Sequence, residues 1–290
     1  MLTAKEKRQQ AEKKMVEDKK YPKYPSWEQI EKENQEAKPA VYFDIRDASG
    51  NFVSRVAGKT KKGLHRVTWD MTYAKGSAIS DKKPSPWHPL GDGLLAAPGK
   101  YTATMYKRVG SEISQLAEPV EFELKPIAKG ALANSNPDKA FKFNQQVANA
   151  ERRLSAAEEI LGNIEKTMKS LRTALDRTAG DTAALEKQYA DIQDQLNAIN
   201  LALYGLDSRN RMGIKPANIS SRLGYAMSAT WSSTYGPTKQ HIDQLAYALE
   251  GFDKVTKQIS LLQEKTIPSL QKAVIEAGGP WTMGAPVIAN

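Results

Sequence analysis

From Val147 to Leu175 the apolar residues Val147, Ala150, Leu154, Ala157, Leu161, Ile164, Met168, Leu171 and Leu175 recur in alternating steps of three and four. An α-helix gathers such positions into one narrow stripe, and a stripe of that kind is buried by laying it against other helices. The next segment keeps the rhythm at Leu185, Tyr189, Ile192, Leu196, Ile199 and Leu203, after a break at Gly180 and Asp181. The spacing predicts a long antiparallel hairpin of the coiled-coil type, because a short connection sends the second helix back along the first. The most strongly specified part of the chain is thus specified for packing. No converging set of catalytic groups lies on these two helices.

The rest of the carboxy-terminal half follows the same period. The first helix is expected to start at Pro137 and Asp138 with Asn136 as its cap, and to run to about Arg177. Asp181 or Thr182 caps the second, which runs to about Tyr204. Ile219, Leu223, Met227 and Trp231 mark a third helix, ended by Tyr235-Gly236-Pro237. A last one presents Ile242, Leu245, Leu249, Phe252, Val255, Ile259 and Leu262, is kinked near Pro268, and stops at Gly278-Gly279-Pro280. Residues 129–290 therefore read as an antiparallel up-and-down helical bundle.

Between Pro39 and about residue 128 the period is two. Val41, Phe43 and Ile45 alternate with Tyr42, Asp44 and Arg46, and Asp47-Ala48-Ser49-Gly50-Asn51 turns the chain into Phe52, Val53 and Val56. Gly63–Met71 reads as a further strand with Trp69 as core plug, and Tyr101–Tyr106 and Val120–Leu124 follow. Short strands without helical periods between them predict an antiparallel β-sandwich of the immunoglobulin or fibronectin type III kind over residues 39–128. Residues 1–38 are rich in Lys and Glu and poor in apolar anchors, and read as a charged helical linker. Its helix ends near Lys20, a Pro break follows at Tyr21-Pro22-Lys23-Tyr24-Pro25, and Ser26 caps a short helix beginning at Trp27, whose indole is expected to anchor the linker.

Composition removes several classes of function. With no cysteine in 290 residues there is no disulfide, thiol nucleophile or Cys-based zinc site. No apolar run is long enough to span a bilayer. The net charge of +9 is spread along the chain without a basic helix face carrying interleaved aromatics. It reads as a solvated surface and not as a nucleic-acid interface. The histidines are His65, His88 and His241, with no metal-ligand spacing among them, and no nucleophile elbow, phosphate loop or dinucleotide turn occurs. No cofactor or metal is expected.

The remaining candidates lie in the β-rich segment. The stretch 72–99 is a long insertion rich in Gly, Pro, Ser and Lys. Its Trp87-His88 pair is the best ligand-facing candidate, since an indole can stack on a sugar ring, and the alternative is that Trp87 pins the loop to the sandwich. Asp44, Asp47, Asp70 and Asp92 supply carboxylates from which a glycosidase pair could be drawn. The plainer reading gives Asp47 to a turn, Asp92 to a glycine-rich bend, and Asp44 and Asp70 to outward strand faces. Asn218-Ile219-Ser220 matches a glycosylation sequon, a short and weak signal.

The order of the segments adds a resemblance. KEKRQQAEKK near the amino end, YPSW at Tyr24–Trp27, DIRDASGNFV at Asp44–Val53, GLHRVTWDM at Gly63–Met71, APGKYTATM at Ala97–Met105, WSSTYGPT at Trp231–Thr238 and GGPWTMG at Gly278–Gly284 span nearly the whole chain. The set resembles the carboxy-terminal region of large bacterial sortilin-like BNR-repeat proteins, which are often labelled glycosyl hydrolases. The sandwich part alone also looks like the immunoglobulin-like domains of flagellar hook-cap proteins and of secretion-sorting tails. The resemblance implies a β-propeller ahead of this chain that holds the Asp-box repeats and the active site, so no catalytic residue carries over. It implies a periplasmic, cell-surface or secreted location. The implied partners are that propeller, other proteins through the helical bundle, and carbohydrate. The expected role is a non-catalytic accessory region; the alternatives are a carbohydrate-binding module using Trp87 and a glycoside hydrolase with a carboxylate pair in the sandwich.

Overall fold

The alternation over Val41–Arg46 becomes the central hairpin of a sheet. The computed structural model describes residues 1–74, 76, 78–79, 93–127, 137–206, 217–232 and 236–285. The chain divides into two units, Met1–Lys75 with Gly91–Lys129, and Gly76–Leu90 with Gly130–Asn290. Both α-helices and an antiparallel β-sheet are present. Among the described residues, no helix is long and apolar enough to cross a membrane.

In the first unit, β1 (Ala40–Asp47) pairs antiparallel with β2 (Phe52–Gly58) on one side and β3 (Gly99–Val109) on the other. The far edge of β3 is shared by β4 (Glu112–Gln115) and β5 (Val120–Leu124), each pairing with a different half of it. The described strands form this single sheet. The β1–β2 turn closes as its composition predicts. Asp47 Oδ1 accepts from the backbone N–H groups of Ser49 and Asn51, and Gly50 takes φ of 81°, which a side chain would oppose. One face of the sheet buries Ile45, Val53 and Tyr101 together with Ala96, and Trp69, Phe122 and Leu124 pack against them.

Gly63–Met71 is not a strand. Trp69 nonetheless enters the core as expected, its ring 5.5 Å from that of Tyr101 and 5.9 Å from that of Phe122. The physical reason is local competition. Trp69 Nε1 donates to Thr72 O, and Asp70 Oδ1 accepts from both the backbone N–H and the hydroxyl of Thr72. These bonds fold the segment onto itself where a ladder would have kept it extended.

Residues 1–38 form α1 (Ala4–Glu17) and α2 (Trp27–Gln35), placed in the same unit as the sheet. Thr3 and Glu6 make a capping box at the start of α1, and Ser26 Oγ accepts from Gln29 N–H at the start of α2. The helices run antiparallel: Ala4 N–H reaches Glu36 Oε2 at 2.6 Å, and Arg8 grips both oxygens of Glu33 at 2.8 Å. Trp27 is 84% exposed and anchors nothing, contrary to the expectation from sequence.

The second unit contains α3 (Pro137–Leu175), α4 (Ala183–Tyr204), α5 (Ile219–Ser232), α6 (Lys239–Leu261) and α7 (Ile267–Glu276). α3 and α4 run antiparallel, with Arg172 on Glu186 near the turn and the Tyr204 hydroxyl donating to Glu158 at the far end. The seam on α3 is buried as its spacing requires, from Val147 at 2% exposed to Leu171 at 0%. It does not serve one partner. Its amino-terminal part, Phe143, Val147 and Ala150, packs with Leu223 and Ala226 of α5 and Leu245 and Ala248 of α6. Its carboxy-terminal part, from Ala157 to Leu175, packs with α4, the second half of α6 and α7. Leu154 touches both clusters.

The kink expected near Pro268 is a π-helical turn over Leu262–Thr266, which leads directly into α7 with the proline in its first turn. Proline brings no N–H to the ladder and its ring crowds the preceding turn, so the backbone widens just before it. At the end of α7, Gly278 N–H bonds Ile275 O and Gly279 N–H bonds Val274 O, a Schellman closure with Gly278 at φ of 84°. The following residues fold back: Gln271, 2% exposed, donates to Thr282 Oγ1 and Met283 O, and Met283 N–H reaches Ser170 Oγ.

Candidate functional site

Trp87 and His88, the ligand-facing candidates, lie outside the described residues, as does Asp92. What is described is the place where their insertion leaves and rejoins the sheet. Thr72 and Leu95 form an antiparallel bridge, Tyr73 N–H bonds Leu94 O, and Ala96 N–H bonds Met71 O. The two ends are therefore held together, and the intervening chain starts and finishes at one point. Tyr73 packs against the core there, and burial pushes its hydroxyl pKa up to about 12.

Each described carboxylate from the candidate set is engaged in structure. Asp47 closes the β1–β2 turn and Asp70 holds Thr72, as given above. Asp44 was expected on an outward face, but it is 6% exposed and both its oxygens accept from Arg55, at 2.6 and 2.8 Å. The pairing follows from register, since Asp44 stands directly across from Arg55 on β2. The Arg55 guanidinium also sits 4.1 Å above the Tyr42 ring, and Tyr42 stacks on Tyr106 across β1 and β3. The hydrogen bond to Asp44 raises the Arg55 pKa, which holds the guanidinium in its charged form. A carboxylate with both oxygens committed to a fixed guanidinium is not poised as a general acid or base. The sequence alone did not show this pair: counting outward from the Asp47–Asn51 turn sets Ser54 across from Asp44, and it is the register shift between Ile45 and Arg46 that brings Arg55 opposite.

Among the described residues of the helical unit a serine and a histidine come together. Ser228 Oγ lies 3.4 Å from His241 Nε2, and the Tyr225 ring stacks on the imidazole at 5.0 Å. A nucleophilic pair needs an Nε2 that accepts the serine proton. Here His241 Nδ1 accepts the backbone N–H of Thr238 at 3.1 Å, which puts the ring proton of the neutral form on Nε2, while the Ser228 hydroxyl donates to Tyr225 O at 2.7 Å. The wiring runs opposite to that of a hydrolase. His241 is the third residue of α6 and completes its capping box with Thr238. Asn218 of the sequon is likewise used locally: its Oδ1 accepts Ser221 N–H and its Nδ2 donates to Tyr204 O.

A small cavity of about 10 Å³ lies where the two helical clusters meet, lined by Ala150, Leu154, Ile219, Leu223, Leu249 and Phe252 among others. That is room for about one water, and the walls offer it no hydrogen-bond partner. Among the described residues no group of three or more His, Asp or Glu side chains is placed to hold a metal ion.

No family model, curated protein or solved structure matches this chain.

Proposed function

We propose that the chain is a non-catalytic accessory region, the carboxy-terminal part of a larger exported bacterial protein of the sortilin-like BNR-repeat kind, serving as scaffold or interaction module. The observation that carries this reading is the ordered set of segments from KEKRQQAEKK to GGPWTMG across nearly the whole sequence. In this reading residues 39–128 are an immunoglobulin or fibronectin type III-like sandwich, and α3 with α4 is a coiled-coil hairpin. The preceding propeller is one partner, and other proteins meet the helical bundle. The location is periplasmic, cell-surface or secreted.

Support comes from what these segments do locally. Asp47 and Gly50 of DIRDASGNFV close a turn, Trp69 of GLHRVTWDM fills an aromatic cluster, and the glycines of GGPWTMG end α7. Joints of this kind are what a scaffold needs. The test is to assay residues 1–290 against a panel of glycosides, and to delete residues 131–290 from a full-length parent. The expected results are no turnover by the isolated chain, and altered assembly with hydrolysis retained in the parent. Turnover by residues 1–290 that a single Asp→Asn change abolishes would overturn the reading. So would saccharide binding lost in Trp87→Ala with parent assembly unaffected by the deletion.

A further inference from the structure

The cap at the start of α6 is built on an imidazole. His241 Nδ1 accepts the backbone N–H of Thr238 at 3.1 Å, and Thr238 Oγ1 accepts the backbone N–H of His241 at 3.4 Å, which closes the capping box. An amide N–H only donates, so the box needs an Nδ1 without a proton. Glu and Gln, the usual residues at this position of the box, present an oxygen that accepts throughout the neutral range. Histidine is the side chain whose charge ordinarily changes between pH 5 and 8. A box completed by histidine is one that a proton undoes.

The incoming proton has one place to go. In the neutral ring Nε2 carries the hydrogen, 3.4 Å from Ser228 Oγ, and the Ser228 hydroxyl donates to Tyr225 O at 2.7 Å. The second proton therefore enters at Nδ1, where the Thr238 N–H already points. Thr238 Oγ1, 2.8 Å from Nδ1, can accept from the new N–H, but the Thr238 amide then loses its acceptor. The positive charge also falls in the first turn of a helix, the end at which the macrodipole disfavours a cation.

The surroundings do not reverse this preference. Among the described residues no carboxylate hydrogen-bonds the imidazole, and Tyr225 of α5 stacks on it. On α6 Lys239 and Asp243 pair with each other, and Arg222 of α5 donates to Gln244. The start of α3 passes Gly236 at Ala140 and brings Asp138, Lys139 and Lys142 to the same end of the bundle. These neighbours number four cations, Arg222, Lys239, Lys139 and Lys142, against two anions, Asp243 and Asp138. Such a balance does not draw a further positive charge to the ring. Beyond the first turn α6 is held by packing, since Leu245 and Ala248 lie in the cluster with Phe143, Val147 and Leu223.

We propose that His241 is a pH-operated latch on α6: the first turn, Thr238 to Ile242, is closed while the ring is neutral and unwinds when it is protonated, as far as the packed residues Leu245 and Ala248. The bond is present on the alkaline side of the imidazole range and is lost as pH falls through it. The latch goes beyond the accessory-region reading and does not depend on it, since the same cap would respond in a chain of any function.

The test is amide hydrogen exchange of the isotopically labelled full chain by NMR at pH 8 and pH 5.5, with rates expressed relative to the unprotected amide at each pH. The amides of Thr238, His241 and Ile242 should lose protection by about fivefold or more at the lower pH, as removal of a helix cap does. Those of Val255 and Ile259, deeper in the same helix, should hold theirs. His241→Gln, whose side-chain oxygen can complete the box and does not titrate, should keep the first turn protected at both values. His241→Phe, which keeps a ring against Tyr225 and has no acceptor, should leave it unprotected at both. Unchanged protection in the parent would overturn the proposal. So would an equal loss in His241→Gln, or a loss at Val255 and Ile259 that matches that of the first turn.

Discussion

At the residue scale the ion pairs carry the pH dependence. Arg8 holds the Glu33 carboxyl below the ordinary glutamate range by direct hydrogen bonding, and Arg172 does the same to Glu186 between α3 and α4. A carboxylate whose pKa is depressed on folding contributes stability that is present above its unfolded value, about 4.3, and is lost as pH falls through the folded one. Denaturation midpoints measured from about pH 6 down to pH 3 should therefore fall on the acid side of that value. Glu33→Gln should flatten part of the fall, because it removes one of the titrating groups. An acid slope identical to that of the parent would show that the Arg8 pair contributes nothing. At high pH the sign reverses. Burial raises the hydroxyls of Tyr73, Tyr101 and Tyr204, so their contribution is complete below the unfolded value of about 10 and is lost as pH rises through the folded ones.

At the scale of the element, helix ends are closed by different physical means, and the two adjacent glycines after α7 separate them. Gly278 has φ of 84° with open space where a Cβ would sit. Alanine there meets backbone strain alone, about 1 kcal/mol. Gly279 would place a Cβ 2.5 Å from Thr178 Oγ1 and 2.8 Å from Val274 O. Because Val274 O is backbone and cannot swing away, alanine at 279 should cost more, about 1–3 kcal/mol. Urea denaturation of Gly278→Ala and Gly279→Ala should rank them in that order, even though only the first sits in the glycine-favoured region. The reverse ranking would mean that conformational strain outweighs the close approach.

For the whole molecule the consequential feature is that one continuous seam feeds two cores. Leu171 is fully buried in the cluster with α4, the end of α6 and α7, whereas Leu223 is buried in the cluster with α5 and the start of α6. Truncation of either to alanine should cost about 2–5 kcal/mol. The two share no cluster, so the double variant should lose the sum of the single losses to within about 0.5 kcal/mol. A larger coupling energy in the double-mutant cycle would show that the clusters behave as one body. Period, punctuation and turn chemistry are local properties, and they were legible: α3, α4, α5 and α6 begin and end within a few residues of where spacing puts them, and the DASGN turn and the Gly278 stop form as their residues require. What periodicity cannot carry is the identity of the partner. A heptad stripe states that a face is buried and not by which helix, so the division of the α3 seam at Leu154 came only from the folded chain. The same holds for Asp44, whose burial depends on the register that sets Arg55 opposite it, and for Gly63–Met71, where alternation suited a strand but side-chain bonds to the backbone around Thr72 took precedence. Sequence determined which backbone segments are regular and which faces are apolar, because those depend on neighbours a few positions away. Tertiary structure decided which surfaces meet, which charges are paired, and which aromatic rings at Tyr21, Tyr24 and Trp27 are left in water, because burial is a property of residues distant in the chain.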